Sequence, residues 1–440
     1  MELKIERLAN NGKGVGKAAD GKTVFVSGAV PGDLLHVEVT AERSRFYEAE
    51  IRGIIEPSAD RIPADCPEQE RCGGCCFREM KYDAELDAKA GFVRDAFRRI
   101  GGFDELPIEP ILPSPRMEAY RNKAEFAIGT GAEGKLFAGF YSEKTHRVAP
   151  VPNCRIVPDE FLKISEYFVN VLNLRKYSFA DVLHHLVLRR SGLTGEIMLI
   201  IVSASDGFPG DKEAAEKVRE LFPAVTSVIL NINPDKKGPV LGLRNRVLSG
   251  ADFIRDQICG VPVEVGPLSF FQVNTPAAEA LYCTAAEFAQ VRSEDVVLDL
   301  YCGMGTIGLS MAANCRHLIG GEIIPEAVES ARRNAAAMGL NKTRFLCGDA
   351  AEIAETLIRE HIHPTLIILD PPRKGCSSET LNAVLTLNPG RIVMVSCDPA
   401  TAARDCRTLS DAGCQLSRLR PADLFPRTRH VETCVLLSKQ

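Results

Sequence analysis

Residues 299–308 read Asp-Leu-Tyr-Cys-Gly-Met-Gly-Thr-Ile-Gly, and this decamer restricts the fold more than any other stretch. It continues an apolar, β-prone run, Val296–Leu300, and leads into a helical period. Gly303, Gly305 and Gly308 therefore form a GxGxxG turn between a strand and a helix. Such a turn belongs to an open parallel sheet with crossover helices, whose ligands sit at the carboxyl ends of the strands. The following chain repeats the pattern: Leu318–Gly321, Arg344–Cys347, Leu366–Leu369 and Ile392–Ser396 are short apolar runs, each succeeded by a loop and a helical stretch. One of those helices is bracketed by Pro325 at its first turn and Gly339 at its end. From about residue 290 onward the chain is expected to form an α/β, Rossmann-like domain.

Glu322 follows Gly303 by nineteen residues, at the end of the second strand, where a carboxylate accepts hydrogen bonds from ribose hydroxyls. A dinucleotide and S-adenosylmethionine both carry such a ribose, so a nicotinamide dehydrogenase is the alternative from another reaction class. Asp299 shifts the balance. A carboxylate at the end of the first strand repels a pyrophosphate and suits the cationic, amino-acid end of S-adenosylmethionine.

Two further strand ends carry chemistry. Asp370-Pro-Pro-Arg-Lys-Gly closes the fourth strand, and Arg373 at its fourth position replaces the aromatic that amino-group methylation would use for stacking. Ser396-Cys397-Asp398-Pro399 closes the fifth and puts a thiol at the reacting edge. Carbon 5 of uracil is a poor nucleophile, but thiolate attack at carbon 6 makes an enolate that takes a methyl group from a sulfonium. The carbon 5 proton must then leave to a base. Arg429-His-Val-Glu-Thr-Cys434 supplies His430 and Glu432 at the start of a last β-prone run. Cys347 and Cys434 read as small buried hydrophobes.

The N-terminal residues follow other rules. Residues 1–60 read as a small OB-like all-β barrel, with runs at Thr23–Val26, Leu34–Val39 and Tyr47–Ile55, turns at Asp20-Gly21 and Pro31-Gly32-Asp33, and a glycine-rich loop over Asn11–Lys17. Pro57, Pro63 and Pro67 mark a linker into a mixed α+β region over 61–268. There Cys66, Cys72 and Cys75 are spaced Cys-x5-Cys-x2-Cys, and Cys154 stands alone downstream. Three clustered thiolates and one distant one complete a four-cysteine iron–sulfur site, with tetrahedral zinc as the competitor and Cys76 as an ambiguous neighbour. Charged residues interrupt Met1–Asn10, so no secretory leader is expected there, and the fifteen cysteines suit metal binding and catalysis in the cytoplasm better than disulfides. No apolar run approaches the roughly 18 residues that span a bilayer. The net charge of -5 speaks against a general polyanion binder, yet Arg373–Gln440 holds ten Lys or Arg against six Asp or Glu, enough for a local polyanion face.

Taken together these residues resemble the RNA uracil-5-methyltransferase family, which contains 23S ribosomal RNA uracil-5-methyltransferases and their transfer RNA relatives. The likeness covers nearly the whole chain. Gly14-Val-Gly, Val24-Phe-Val and Pro31-Gly-Asp resemble a TRAM domain, an OB-like RNA-binding module, and Cys66, Cys72, Cys75 and Cys154 fall on the family's four-iron, four-sulfur ligands. Phe270-Phe-Gln-Val-Asn274 resembles the Phe-x-Gln-x-Asn segment, so Gln272 is implied as a cofactor contact. Tyr301, Thr306, Glu322, Asp349 and Asp370 fall on the others, although many relatives have Phe at Tyr301 and Asn at Thr306. Cys397 matches the nucleophile and Glu432 the base. The resemblance implies a division into a TRAM barrel at 1–60, an iron–sulfur and RNA-recognition domain at 61–268 and a methyltransferase domain at 269–440. It further implies an RNA substrate, 23S ribosomal RNA before transfer RNA, flipped onto aromatics such as Phe270, with no membrane and no obligate protein partner. A non-catalytic RNA-binding protein is the remaining alternative.

Overall fold

The computed structural model describes residues 1–439 except 70, 132–133, 143–144, 146, 175–178, 180 and 236. Alternating burial builds the first sheet from β1 (Glu2–Lys4), β2 (Arg7–Leu8), β3 (Gly14–Lys17), β4 (Thr23–Val26), β5 (Leu34–Glu42) and β6 (Phe46–Glu56), in the order β1-β5-β6-β4-β3-β2. Leu3, Ile5, Val24, Val26, Leu35 and Val37 fill it. The glycine-rich loop expected over Asn11–Lys17 is shorter than that, because Gly14–Lys17 is strand β3. Its glycines serve packing: a Cβ on Gly16 would stand 2.4 Å from the Lys4 carbonyl, and one on Gly14 would stand 2.6 Å from the Ala29 Cβ. Buried Asp33 then ties the barrel to the linker through Arg61, at 2.7 Å.

Helix α1 (Tyr82–Arg99) follows the cysteine loop. The second sheet holds β7 (Lys123–Thr130), β8 (Leu136–Tyr141), β9 (Val148–Pro150), β10 (Leu183–Arg190), β11 (Ile197–Ser203), β12 (Val225–Ile232) and β13 (Arg244–Gly250), in the order β13-β12-β11-β10-β7-β8-β9. Helices α2 (Asp159–Asn173) and α3 (Asp211–Leu221) cover it, with Phe161, Phe168 and Val218 in the shared core. Hairpin β14 (Ile254–Ile258) and β15 (Val261–Val265) leads to α4 (Thr275–Ala289).

The last sheet holds β16 (Val296–Leu300), β17 (His317–Glu322), β18 (Thr343–Cys347), β19 (Leu366–Leu369), β20 (Arg391–Ser396), β21 (Gln415–Ala422) and β22 (Glu432–Ser438), in the order β18-β17-β16-β19-β20-β22-β21. The first five are parallel and β22 runs antiparallel to β20 and β21. Its crossover helices are α5 (Thr306–Met311), α6 (Pro325–Ala337), α7 (Ala350–Arg359), α8 (Ser378–Leu387) and α9 (Pro399–Asp411). Both faces are covered, so every residue of β19 is at 0% exposure. Each such side chain contributes about 1.5–3 kcal/mol of burial. Packing here is not continuous in the chain. Val93 and Phe97 of α1 share the core of this sheet with Leu298 and Leu369, and Ile108 and Leu112 bridge to Leu419 and Ala422 of β21. No helix among the described residues is long and apolar enough to cross a membrane.

Candidate active site

The carboxyl ends of the parallel strands converge on one cleft edge, as the strand order dictates. Asp299 ends β16, and its Oδ2 accepts a 2.9 Å hydrogen bond from the Gly308 amide at the start of α5. Gly308 has to be glycine for that contact, since a Cβ would lie 2.7 Å from the same oxygen. Tyr301, Gly303 and Gly305 take positive φ of 64°, 55° and 79° to turn the chain into α5. Glu322 ends β17 and grips the turn, accepting from Gly303 N at 3.0 Å and Ile324 N at 2.9 Å.

Gln272 lies across the cleft. Its carbonyl accepts from Asn122 Nδ2 at 2.8 Å, and its own Nε2 reaches the Tyr282 hydroxyl at 3.4 Å, which Thr306 also meets. Tyr301 Oη contacts Thr380 Oγ1 at 3.4 Å. Asp349 stands exposed after β18, where its Oδ1 caps α7 through the Ala351 amide at 2.9 Å. Tyr282 and Asn122 had no sequence signal of their own, being an aromatic inside a helical period and an amide on a strand.

Burial governs the ionisation of this edge. It pushes Asp299 up to about 7, helped by the Asp370 and Glu322 charges, and pushes Asp370 up to about 7. Asp299 Oδ1 is buried without a hydrogen-bond partner among the described residues. Two carboxylates short of positive charge, one with an open acceptor, suit a ligand bearing an ammonium and a sulfonium, and oppose a pyrophosphate.

Cys397 and Glu432 meet by strand register. Strands β20 and β22 pair antiparallel from Arg391↔Ser438 to Ser396↔Thr433, and Thr433 Oγ1 donates to the Ser396 carbonyl at 3.2 Å. Cys397 follows directly on Ser396 and Glu432 directly precedes Thr433, and the two side chains are in electrostatic reach of each other. Burial pushes the half-buried Cys397 thiol up to about 11, with the Glu432 charge adding to it and Arg373 opposing it. Glu432 is 7% exposed and is pushed up to about 8 by burial and then by Asp370, against the pull of Arg373. Thiol, carboxyl, Asp370 and the exposed Arg373 thus share one patch. Nearby His430 is held down at about 4 by burial and by the Arg373 and Arg429 charges, so it is neutral at pH 7. Phe270 is 76% exposed. Cys434 is fully buried as expected, whereas Cys347 is exposed, because β18 is the edge strand of its sheet.

The other cysteine group lies beneath the second sheet. Cys72, Cys75 and Cys154 pack against its core, and Cys66 joins them in electrostatic reach. Burial raises the Cys72, Cys75 and Cys154 thiols first, and the neighbouring thiols raise them further. Cys76 turns elsewhere, toward the barrel, its sulfur 3.0 Å from where a Gly12 Cβ would be. Among the described residues no three His, Cys, Asp or Glu side chains stand close enough to hold a metal ion. The four thiols have the donor chemistry of an iron–sulfur or zinc centre.

Residues 263–440 match the tRNA (uracil-5-)-methyltransferase family and residues 1–51 match the TRAM domain. An uncharacterized RNA methyltransferase of Halalkalibacterium halodurans is 36% identical over 99% of this chain and 96% of its own length. One of Gloeobacter violaceus is 36% identical over 100% of this chain and 96% of its own. Among solved structures, the tRNA (uracil-54, C5)-methyltransferase of Pyrococcus abyssi in complex with S-adenosyl-L-homocysteine is similar with a TM-score of 0.77 and 25% identity, over 99% of this chain and 100% of that one.

Proposed function

The chain belongs to the RNA uracil-5-methyltransferase family, and on that premise we propose that it methylates carbon 5 of a uridine in RNA through a covalent bond between Cys397 and carbon 6 of the base. The observation that carries this reading is that the Cys397 thiol, just past β20, and the buried Glu432 carboxyl, which opens β22, are in electrostatic reach of each other and of Asp370. S-adenosylmethionine, when bound, supplies a methyl group activated by its sulfonium. Asp299 and Asp370 would hold its cationic end, Glu322 its ribose, and Gln272, Tyr301, Thr306 and Asp349 its remaining groups.

Cys397 as thiolate adds to carbon 6, and the electron pair at carbon 5 takes the methyl group. Glu432 as carboxylate then removes the carbon 5 proton, the double bond re-forms and Cys397 leaves as thiolate. A carboxyl pushed up to about 8 is, once ionised, a stronger base than an ordinary one. Arg373, the nearby cation, favours the thiolate. Phe270 offers its exposed ring to a flipped base.

The division at 60 and 268 assigns RNA grip to the barrel and recognition to the middle region, where Cys66, Cys72, Cys75 and Cys154 would hold a four-iron, four-sulfur cluster. That cluster would position structure or RNA and takes no part in the cycle above. The barrel together with the cysteine set favours 23S ribosomal RNA in the cytoplasm, whereas the likeness to a solved enzyme acting on tRNA favours that substrate. Incubation with 5-fluorouridine RNA and S-adenosylmethionine tests the reading, because fluorine cannot leave as a proton does. A covalent complex on a denaturing gel, mapped to its nucleotide, is expected and tells the two RNAs apart. No adduct on either RNA, with cofactor binding confirmed, overturns it.

A further inference from the structure

A buried charge cluster remains outside the reaction scheme. Lys89 of α1 is at 0% exposure, and its Nζ donates to Glu85 Oε1 at 2.8 Å, Asp423 Oδ1 at 2.7 Å and the Phe425 carbonyl at 3.1 Å, which uses all three of its protons. Tyr82 Oη donates to Asp423 Oδ2 at 2.8 Å. Arg427 completes the balance of two cations and two carboxylates, with Nη1 3.5 Å from Glu85 Oε2 and its backbone amide donating to Glu85 Oε1 at 2.7 Å. Buried ion clusters are weak sources of stability and are often replaceable by apolar residues. This one therefore calls for a reason other than stability.

The reason lies in what the cluster holds. Segment 423–427 has its carbonyls claimed from four directions: Leu424 by Asn274 Nδ2 at 2.9 Å, Phe425 by Lys89, Pro426 by the Tyr120 hydroxyl at 3.0 Å, and Arg427 by the Cys76 and Phe77 amides at 2.9 and 3.2 Å. Arg427 sits at φ 70°, a conformation that a residue with a side chain keeps only where its surroundings impose it. From there the path to the base is short. Thr428 Oγ1 donates to the Phe425 carbonyl at 2.8 Å, the His430 amide donates to Thr428 Oγ1 at 3.3 Å, the His430 ring stands 5.8 Å from the Phe425 ring, and β22 begins at Glu432.

We infer that Lys89 is a positioning residue: with Glu85, Asp423 and Tyr82 it clamps segment 423–427 and so sets Glu432 against Cys397 for proton removal. This rests on the methylation reading and adds to it a division of labour between the two steps. Cys397 follows directly on β20, away from the clamp, whereas Glu432 opens β22 five residues after Arg427, so the approach to it comes from the clamped segment. Loss of the clamp should therefore slow release of the adduct more than its formation.

The test compares two rates in Lys89→Met and Tyr82→Phe. One is formation of the covalent complex with 5-fluorouridine RNA, which stops before proton removal, and the other is turnover on ordinary RNA. For Lys89→Met, kcat should fall about 100-fold with the RNA KM unchanged, as for a sub-ångström to ångström misplacement of a catalytic group. The fluorinated adduct should still form within about 3-fold of the wild-type rate. Tyr82→Phe leaves all four charges in place and should show the same split at about 5-fold; if Lys89→Met does not fold, it decides alone. Equal slowing of both rates, or wild-type turnover, overturns the positioning role. A wild-type protein that forms no adduct overturns the methylation reading instead, and is recognised as such because no variant is involved.

Discussion

The two cysteine groups of this protein are held in opposite ways. Glu432 opens β22, a strand paired on both sides, and Cys397 follows directly on the last paired residue of β20, inside a sheet covered on both faces. Cys66, Cys72 and Cys75 lie on a loop whose backbone bonds are local turns, such as Cys72 N to Glu68 O at 2.8 Å, and Cys154 comes from a separate loop. Burial raises the thiols in both places and a guanidinium opposes the rise in each, Arg373 at Cys397 and Arg78 at Cys75 and Cys154, but Cys397 also faces the Glu432 carboxyl whereas Cys72, Cys75 and Cys154 also face other thiols. A reacting pair must have its distance set before the substrate arrives, because misplacement is lost rate. A ligand set can take its final distances from the metal, whose binding free energy does the ordering. Rigid sheet in one place and gathered loops in the other follow from that difference.

The largest expected effect lies on the ladder side. Cys397→Ala should lower methylation by at least about 10⁴-fold while S-adenosylmethionine binding, followed by calorimetry, persists; measurable turnover in that variant would break the comparison. Glu432→Gln should still form the RNA adduct and release it about 10²- to 10⁴-fold more slowly, seen as a complex that accumulates on denaturing gels. Unchanged release would move the base elsewhere.

On the loop side, protein purified without oxygen should carry iron and sulfide at about four each per chain. Cys154→Ser should remove both while leaving the adduct-forming thiol in place. Zinc without sulfide would sharpen the comparison toward a tetrahedral site, and an adduct lost as completely as in Cys397→Ala would break it. The smallest effect concerns pH. Burial holds protons on Asp299, Asp370 and Glu432 up to about 7, 7 and 8, whereas the unfolded chain releases them near its ordinary carboxyl values. The folded state therefore binds more protons at these three groups in between, so their contribution to stability is fullest below about pH 4 and is lost as pH rises toward 8. Thermal unfolding of the cofactor-free protein across that range should show the decline, and Glu432→Gln should shorten it. A pH dependence of the melting temperature identical in the wild type and Glu432→Gln would contradict a buried, poorly compensated carboxyl at Glu432.

Local signals were the legible ones. All five runs marked from Val296 onward appear as β16 to β20, and Pro325 and Gly339 bracket α6 as their backbone preferences require. Asn11–Lys17 was misjudged because glycine serves close packing as well as turns, and only the neighbouring strand tells which. Strand β21 escaped notice since Gln415–Ala422 alternates weakly, with Arg418 and Arg420 on a strand whose pairing comes from β22 and the bridging residues 108 and 112. Lys89 gave no sign at all, being one lysine in a helix with many charges.

Sequence alone determined the strand–turn–helix that positions a ligand, the strand ends that bear Asp299, Asp370 and Cys397, and the residue types that make uracil chemistry reasonable. These are short-range properties, set by side-chain period and by the dihedral freedom of glycine and proline. Tertiary structure alone decided that Glu432 faces Cys397, that α1 serves the last sheet although it precedes the second, and that Lys89 reaches Asp423 334 residues away. Those are contacts between distant segments, and pairing register, burial and charge compensation exist only once the chain has packed.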